Sequence, residues 1–307
     1  MKISFITTVL NEEKTIGRLL TSLLAQSRKP DEIIIVDGGS KDNTVAKIAQ
    51  EVRYYVFPGA NRARGRNEAI KKAKGEVIAI SDAGCVLDKN WLKNITKPFN
   101  NPEVDVVAGY YQPVTRNIFE KCLACYTCVM PDRLAPENFL PSSRSIALRK
   151  TAWQAVSGYP EDLDYCEDLV FAQRLKERDF KFVLAKEALV FWPQKKNIRQ
   201  AFWQFFNYAS GDAQARYWPH VAKIILVYFR YFLALLLLIL GFVYHILIYN
   251  ILVAILILSY LLWSIFKNYR YVEHPSAFIY LPLLQIAADL AVMVGFLRGI
   301  FKRYGIL

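Results

Sequence analysis

No lysine, arginine, aspartate or glutamate occurs between residues 231 and 266, a run of 36 positions in a chain of 307. At about 1.5 Å per helical residue this run would measure roughly 54 Å, too long for one crossing of a hydrocarbon core about 30 Å thick. Cysteine is scarce: Cys85, Cys122, Cys125, Cys128 and Cys166 make an odd count of five, which excludes a disulfide-rich secreted module and suits a reducing compartment. The opening MKISFITTVLNEEK is cut by Thr7 and Thr8 and followed by acids, so it reads as a strand and not as a signal peptide. A Walker A loop is absent, and no Gly-x-Gly-x-x-Gly opens a helix, so neither glycine-rich route to phosphate binding applies. Internal repeats and low-complexity linkers are absent too. With 54% hydrophobic residues, the chain is neither disordered nor collagen-like, and its uneven charge excludes a purely soluble protein.

What is present divides by charge. From Lys195 onward there are 11 basic and 3 acidic residues, a net of +8, against 28 and 24 in residues 1–194, a net of +4. The basic excess therefore flanks the apolar run, where it suits anionic lipid headgroups. Nucleic acid is not expected as a partner, because no recognition helix or RNA-binding signature accompanies the charge.

The first hundred residues alternate strand and helix signals. Ile3 to Val9 is a β-branched run, and Ile16, Leu19, Leu20, Leu23 and Leu24 then fall at helical spacing. Ile33 to Val36 is continuously apolar, as in a strand buried on both faces, and Thr44 to Glu51 resumes a helix. Arg53 to Phe57, Arg62 to Lys74 and Glu76 to Ile80 give a further strand, helix and strand. The expected fold is α/β, a mostly parallel Rossmann-like sheet flanked by helices with right-handed crossovers. Ligands bind such sheets at the carboxyl ends of the strands. Those ends are Asn11-Glu12, Asp37-Gly38-Gly39-Ser40 and Asp82-Ala83-Gly84. Residues 101–194 read as mixed, with strands at Val104 to Tyr110 and Phe182 to Leu184.

The domains expected are 1–195, halved at residue 100, an aromatic and basic segment over 196–222 that reads equally as membrane-interfacial or as a helix packed on the first domain, and a membrane region over 223–307. Spans are expected near 224–244 and 247–266, joined by a turn around Tyr249-Asn250. Lys223, Arg230, Lys267 and Arg270 flank them, so the positive-inside rule puts both flanks in the cytoplasm. A third apolar segment, 277–301, holds Pro282, Asp289 and Arg298 and precedes Lys302 and Arg303. Spanning there would carry the basic tail across, against the rule, so an embedded or interfacial helix is expected.

Asp82 ends a buried strand, where a carboxylate can hold a divalent ion that neutralises a diphosphate; Asp88 reads as a helix cap. Glu167-Asp168 opens a helix, where an acid is either a dipole partner or a general base. Cys122, Cys125 and Cys128 read as thiols on one helical face, since no fourth ligand lies nearby.

Four blocks, FITTVLNEEKTIGRLLTSLLAQ, EIIIVDGGSKDNT, GRNEAIKKAKGEVIAISDAGCVLDKNWL and FLPSSRSIALRKTAWQAVSGYPEDLDYCEDLVFAQRL, occur in the order found in the inverting family 2 glycosyltransferases of GT-A fold, and residues 1–215 resemble that family's membrane-anchored subgroup. The resemblance implies transfer from a UDP- or GDP-sugar to a lipid-linked or glycan acceptor at the cytoplasmic membrane face. It implies that Thr8, Glu12, Asp37 and Gly39 hold the nucleotide-sugar with Arg66, Asn67 and Gln204. Asp82 would bind both the nucleotide-sugar and Mn²⁺ or Mg²⁺, and Asp168, with Glu167, would be the catalytic base. Two positions depart from the pattern. Gly84 replaces the second metal-motif acid, and Asn207 stands where processive members carry the Arg of Gln-x-x-Arg-Trp. A non-processive enzyme is therefore expected. The alternative is a weakly active, nucleotide-sugar-binding scaffold in a membrane glycan complex.

Overall fold

The computed structural model describes residues 1–48 and 52–306. They fall into two compact units, Met1–Val114 with Val129–Pro193, and Thr115–Cys128 with Gln194–Leu307.

The first unit is built on β1 (Ile3–Val9), β2 (Glu32–Asp37), β3 (Arg53–Val56), β4 (Val77–Ile80), β5 (Val86–Leu87), β6 (Val106–Val114), β7 (Ile146–Arg149) and β8 (Phe182–Pro193). They form one sheet in the order β3-β2-β1-β4-β7-β6-β8-β5. The β3-β2-β1-β4 half is parallel throughout. β7 runs antiparallel to both neighbours, β6 and β8 pair in parallel, and β5 closes the edge antiparallel. The sheet is thus mixed, more so than strand–helix alternation implies, because β7 enters between β4 and β6 antiparallel to both.

Residue alternation along β1 explains the three layers. Ile3 and Phe5 face α1 (Ile16–Leu24), where Ile16, Leu19 and Leu23 lie at helical spacing. The same face buries Trp91 and Ile95, and the Phe5 and Trp91 rings meet edge-on at 5.9 Å. Ile6 points the other way, with Ile34 and Val36, against Ala63, Ala69 and Ile70 of α2 (Arg62–Lys72). Burial on both faces is why β2 reads as an uninterrupted apolar run. The helix expected over 44–51 is a short 3-10 turn at Val45–Lys47; its residues 49–51 lie outside the described residues.

Further along, α3 (Trp91–Thr96), α5 (Lys150–Ala155) and α6 (Glu167–Glu177) belong to the first unit, and α4 (Ile118–Thr127) to the second. The second unit continues with α7 (Ile198–Ala215), α8 (Trp218–Val243), α9 (Leu247–Val272) and α10 (Ala277–Arg303). The last three are long and apolar enough to cross a membrane. Leu226, Phe229, Phe232, Leu235, Ile255 and Leu258 lie exposed on them, as lipid-facing side chains do. The α8–α9 reversal falls at Tyr244–Ile246, with His245 in the left-handed region, and not at Tyr249-Asn250. Asn250 is helical instead and packs its side chain against Gly241, so its turn propensity goes unused. Helices α7 and α10 approach backbone to backbone: a Cβ on Gly295 or Gly299 would run into the carbonyl of Phe206 or Ser210.

Candidate active site

Three strand ends and the start of α6 supply the acids and cations of the first unit. At the end of β2, Asp37 is buried and Oδ1 accepts from the Gly39 and Ser40 amides, both at 2.8 Å, and from the Ser40 hydroxyl at 2.9 Å. Gly39 has φ +98°, a conformation that side chains disfavour, so the turn needs glycine there. Oδ2 accepts from the Tyr54 hydroxyl at 2.6 Å. Burial and this carboxylate push the Tyr54 phenol up, so it stays a donor.

Asn11 and Glu12 follow β1. The Asn11 amide donates to Ser40 Oγ, and Asn11 Oδ1 accepts from the Lys41 amide. The Glu12 amide donates to Thr44 Oγ1 at 2.7 Å, while the Glu12 carboxylate accepts from Thr15. These bonds weld the two strand ends into one rim. Thr8, half-buried near the end of β1, lies against Gly65 of α2.

Asn61 caps α2 by accepting from the Arg64 amide at 3.0 Å, which fixes the helix start and turns Arg66 inward. Arg66 is only 2% exposed in its side chain. Nη2 donates to Asp82 Oδ1 at 2.8 Å and Nη1 to Glu167 Oε1 at 2.7 Å. A forked guanidinium can bridge two carboxylates in this way; an ammonium cannot. Burial pushes the Asp82 carboxyl up, but Arg66, Arg144 and Arg62 together outweigh it and hold Asp82 below the usual range. Glu167 goes the other way. Its burial and the neighbouring Asp168 raise it further than Arg66 lowers it.

Asp168, half-buried, is the next residue of the same helical turn. Oδ2 accepts from Ser142 Oγ at 3.0 Å and from the Ser143 amide at 3.3 Å. Cys166 precedes the helix with φ 68°, and this left-handed residue sets the angle at which the acid pair leaves the chain. Ser81 Oγ ties the end of β4 to the Arg144 carbonyl at 2.8 Å, so the 142–145 segment, Asp82 and Asp168 share one edge.

Two of the expected site residues have their side-chain contacts within their own units. Every polar atom of the Asn67 amide is used internally: Nδ2 donates to the Tyr159 carbonyl and to Glu161, and Oδ1 accepts from Trp153 Nε1 and the Tyr159 amide. Its visible work is to hold the 153–161 loop. Gln204 lies on α7 in the second unit, where Nε2 donates to the Tyr208 hydroxyl at 3.0 Å. Asp88 forms a local turn, accepting from the Asn90 amide just before α3. Cys122 and Cys125 are buried on α4 and Cys128 follows it, and no cluster of three potential metal ligands exists among the described residues.

Arg144 was not singled out from sequence. Its guanidinium lies 4.0 Å from the Trp192 ring centre and 5.2 Å from that of Tyr111, and donates to Ser142 Oγ at 2.9 Å. The signal was present in Ser-Ser-Arg just ahead of an apolar strand run, but only the fold brings Trp192 to it.

The donor set does not fit a protein-built metal site. Asp82 Oδ1 is already on Arg66, Glu167 is on the same guanidinium, and around Gly84 a Cβ would meet nothing within 4 Å. Burial, with Asp82 beside it, pushes the Cys85 thiol up to about 12, so it offers no thiolate. Positive charge at this edge comes from Arg66, Arg62 and Arg144.

The model described as Glycosyl transferase family 2 matches residues 4–122, and that of Glycosyl transferase family 21 matches residues 65–304. The O-antigen chain rhamnosyltransferase RfbN of Salmonella typhimurium is 23% identical over 67% of this chain and 71% of its own length. A poly-beta-1,6-N-acetyl-D-glucosamine synthase of Staphylococcus epidermidis is 25% identical over 71% of this chain, which spans only 57% of that protein. In structure, the mannosyltransferase PcManGT of Pyrobaculum calidifontis, solved with GDP-Man and Mn²⁺, superimposes with a TM-score of 0.53 at 18% identity. That alignment covers 70% of this chain and 62% of the other, and it shows a shared GT-A fold.

Proposed function

The chain belongs to the glycosyltransferases of the family 2 and family 21 type, and from that premise we propose an inverting, non-processive transfer from a nucleotide-diphospho-sugar. The donor is a UDP- or GDP-sugar bearing a hexosyl or N-acetylhexosaminyl group, and the acceptor a lipid-linked or glycan hydroxyl at the cytoplasmic membrane face. Membrane attachment is by the three apolar helices. The relatives that make O-antigen and poly-N-acetylglucosamine support an envelope glycan as the product class.

The observation that carries the reading is Asp168, held by Ser142 and Ser143 next to the Glu167–Arg66–Asp82 chain. Asp168 accepts the proton of the acceptor hydroxyl as its oxygen bonds to the anomeric carbon. On the opposite face the bond from that carbon to the diphosphate oxygen breaks, and the electron pair leaves with the nucleoside diphosphate. Arg62 and Arg144, whose fields reach Asp82, offset charge developing on the leaving group. Arg66 is committed to the two acids and acts by positioning them. Non-processive transfer is supported by neutral Asn207 on α7, which cannot balance diphosphate charge as arginine would.

The test is donor turnover by the full chain in detergent across UDP-, GDP- and dTDP-sugars, with Mn²⁺, Mg²⁺ or EDTA and with polyprenyl-phosphate acceptors. One donor should be consumed, and Asp168→Asn should slow it by about 10²–10⁴-fold. Equal rates in wild type and variant would overturn the assignment of the base.

A further inference from the structure

The three apolar helices hold a polar cluster that the transfer reaction does not use. Asp289 of α10 is 5% exposed in its side chain. Its Oδ2 accepts from Arg230 Nη2 at 2.7 Å, Tyr260 Oη at 2.8 Å and Tyr231 Oη at 3.1 Å. Oδ1 accepts from Gln285 Nε2 at 3.1 Å, and the same amide donates to Tyr260 at 2.7 Å. The carboxylate is therefore fully satisfied by side chains from α8, α9 and α10. Ionisable residues among apolar helices are costly and mark sites more often than they mark packing.

Arg230 is the asymmetric member. One Nη meets Asp289, the guanidinium lies 3.9 Å from the Tyr260 ring centre, and 39% of the side chain remains exposed. A guanidinium carries five N–H donors in a fixed fork. The contacts just named use one of them, the Tyr231 ring centre lies 5.2 Å from the guanidinium, and Leu226, Phe229 and Leu233 of the same helix are exposed. A device that only locked three helices together would bury its cation. This one buries its anion and leaves its cation part-exposed. Arg230 and Tyr260 each stand about 20 Å of helix from the α8–α9 turn, about two thirds of the way across a hydrocarbon core about 30 Å thick. Arg230 is about 10 Å of helix beyond Lys223, a gap its own length largely closes by reaching toward the headgroups.

We propose that Arg230, oriented by Asp289 and Tyr260, is a binding site for the phosphate of a lipid. The Asp289 contact takes one Nη, and the remaining donors of a part-exposed guanidinium are of the kind that suits phosphate oxygens. The same chemistry is carried by the (di)phosphate of a lipid-linked glycan and by bulk anionic phospholipid. The first source deepens the proposed function and rests on it: the site would hold the phosphate of the acceptor lipid.

The experiment is equilibrium binding to the full chain in phosphatidylcholine nanodiscs, using a fluorescent polyprenyl monophosphate, the matching polyprenol, and unlabelled phosphatidylglycerol as competitor. Wild type should prefer the monophosphate over the alcohol by about tenfold or more, the scale of a hydrogen bond to a charged group. Arg230→Gln should lose that preference and Arg230→Lys keep part of it. Asp289→Asn should keep or strengthen it, because Arg230 is then released from its carboxylate. A purely structural cluster would lower the melting temperature in Arg230→Gln and Asp289→Asn alike while wild type bound alcohol and phosphate equally; that result overturns the proposal. Retention of the preference in Arg230→Gln overturns it as well. Competition by phosphatidylglycerol at equal concentration supports the site and assigns it to bulk lipid; weak competition assigns it to the polyprenyl chain. Asp168→Asn should bind as wild type does, so the failure of this site and the failure of the catalytic assignment are read separately.

Discussion

Removing Arg66 tests the core of the site most directly. Arg66→Met keeps the length and the packing but withdraws the cation shared by Asp82 and Glu167. Deleting one partner of a buried pair costs about 3–5 kcal/mol. Asp82 is 34% exposed and water screens much of its share, whereas Glu167 is only 7% exposed and bears most of the loss. The low end, about 3 kcal/mol, is therefore expected, or a fall in melting temperature of about 6–12 °C for a unit of this size. The pH dependence has a definite sign. Burial and Asp168 already raise the Glu167 carboxyl, and loss of Arg66 raises it further. Between the ordinary carboxylate value and this raised one, the folded variant binds a proton that the unfolded chain does not. Its stability thus falls as pH rises through the folded value, and the deficit against wild type should shrink as pH is lowered from about 7.5 to about 5. Tryptophan fluorescence during heating of both proteins in detergent reads the effect. Arg66→Lys should fall between them, because one ammonium cannot hold both carboxylates. A loss below about 2 °C at neutral pH, or a deficit that grows on acidification, would refute the reasoning.

Other positions separate structural from chemical roles. Asn67→Ala strips the Tyr159 amide and Trp153 Nε1 of their acceptor and should cost about 2–4 kcal/mol, with donor turnover per folded molecule unchanged; a catalytic deficit in the folded fraction would return Asn67 to the site. Gly295→Ala forces a methyl into the Phe206 carbonyl and should destabilise by about 1–3 kcal/mol, whereas Gly17→Ala on α1, with nothing within 4 Å, should stabilise by up to about 1 kcal/mol; melting curves check both signs. Gly84→Asp restores a second acid in open space and should make turnover more dependent on Mn²⁺; an unchanged ratio of rates with Mn²⁺ and EDTA would mean that the missing acid is not what limits metal use.

Much of the first unit was legible because its signals are local. Ile3 to Val9 and Ile33 to Val36 form β1 and β2, the leucines of α1 face one layer, and Asp37 and Asp82 follow the two strands that flank β1 in the parallel half. Pairing partners were less legible. Nothing in Ile146–Arg149 marks it as antiparallel, and β6 joins β8 with an irregularity at Gly109/Tyr110 because their contact is decided 70 to 80 residues apart. In the second unit Asn250 illustrates the limit of turn propensity. The residue with the stronger turn preference packs into a helix contact, and His245 takes the left-handed position instead.

The candidate site divides along the same line. Residue type and position predict that an acid ends β4 and that two acids open α6, since both follow from strand and helix signals within a few residues. What each acid does depends on a third residue that no local signal links to them. Arg66 lies 16 positions from Asp82 and 101 from Glu167, and its fork makes a single charged unit of the three. That unit explains why Asp82 is held low while Glu167 is driven up, although both are acids beside the same cation: Glu167 is deeper and has Asp168 next to it. It also separates the two neighbours at the start of α6. Glu167 is spent on Arg66, while Asp168 accepts hydrogen bonds from Ser142, Ser143 and its own helix start, a difference that supports the proposal of Asp168 as the base.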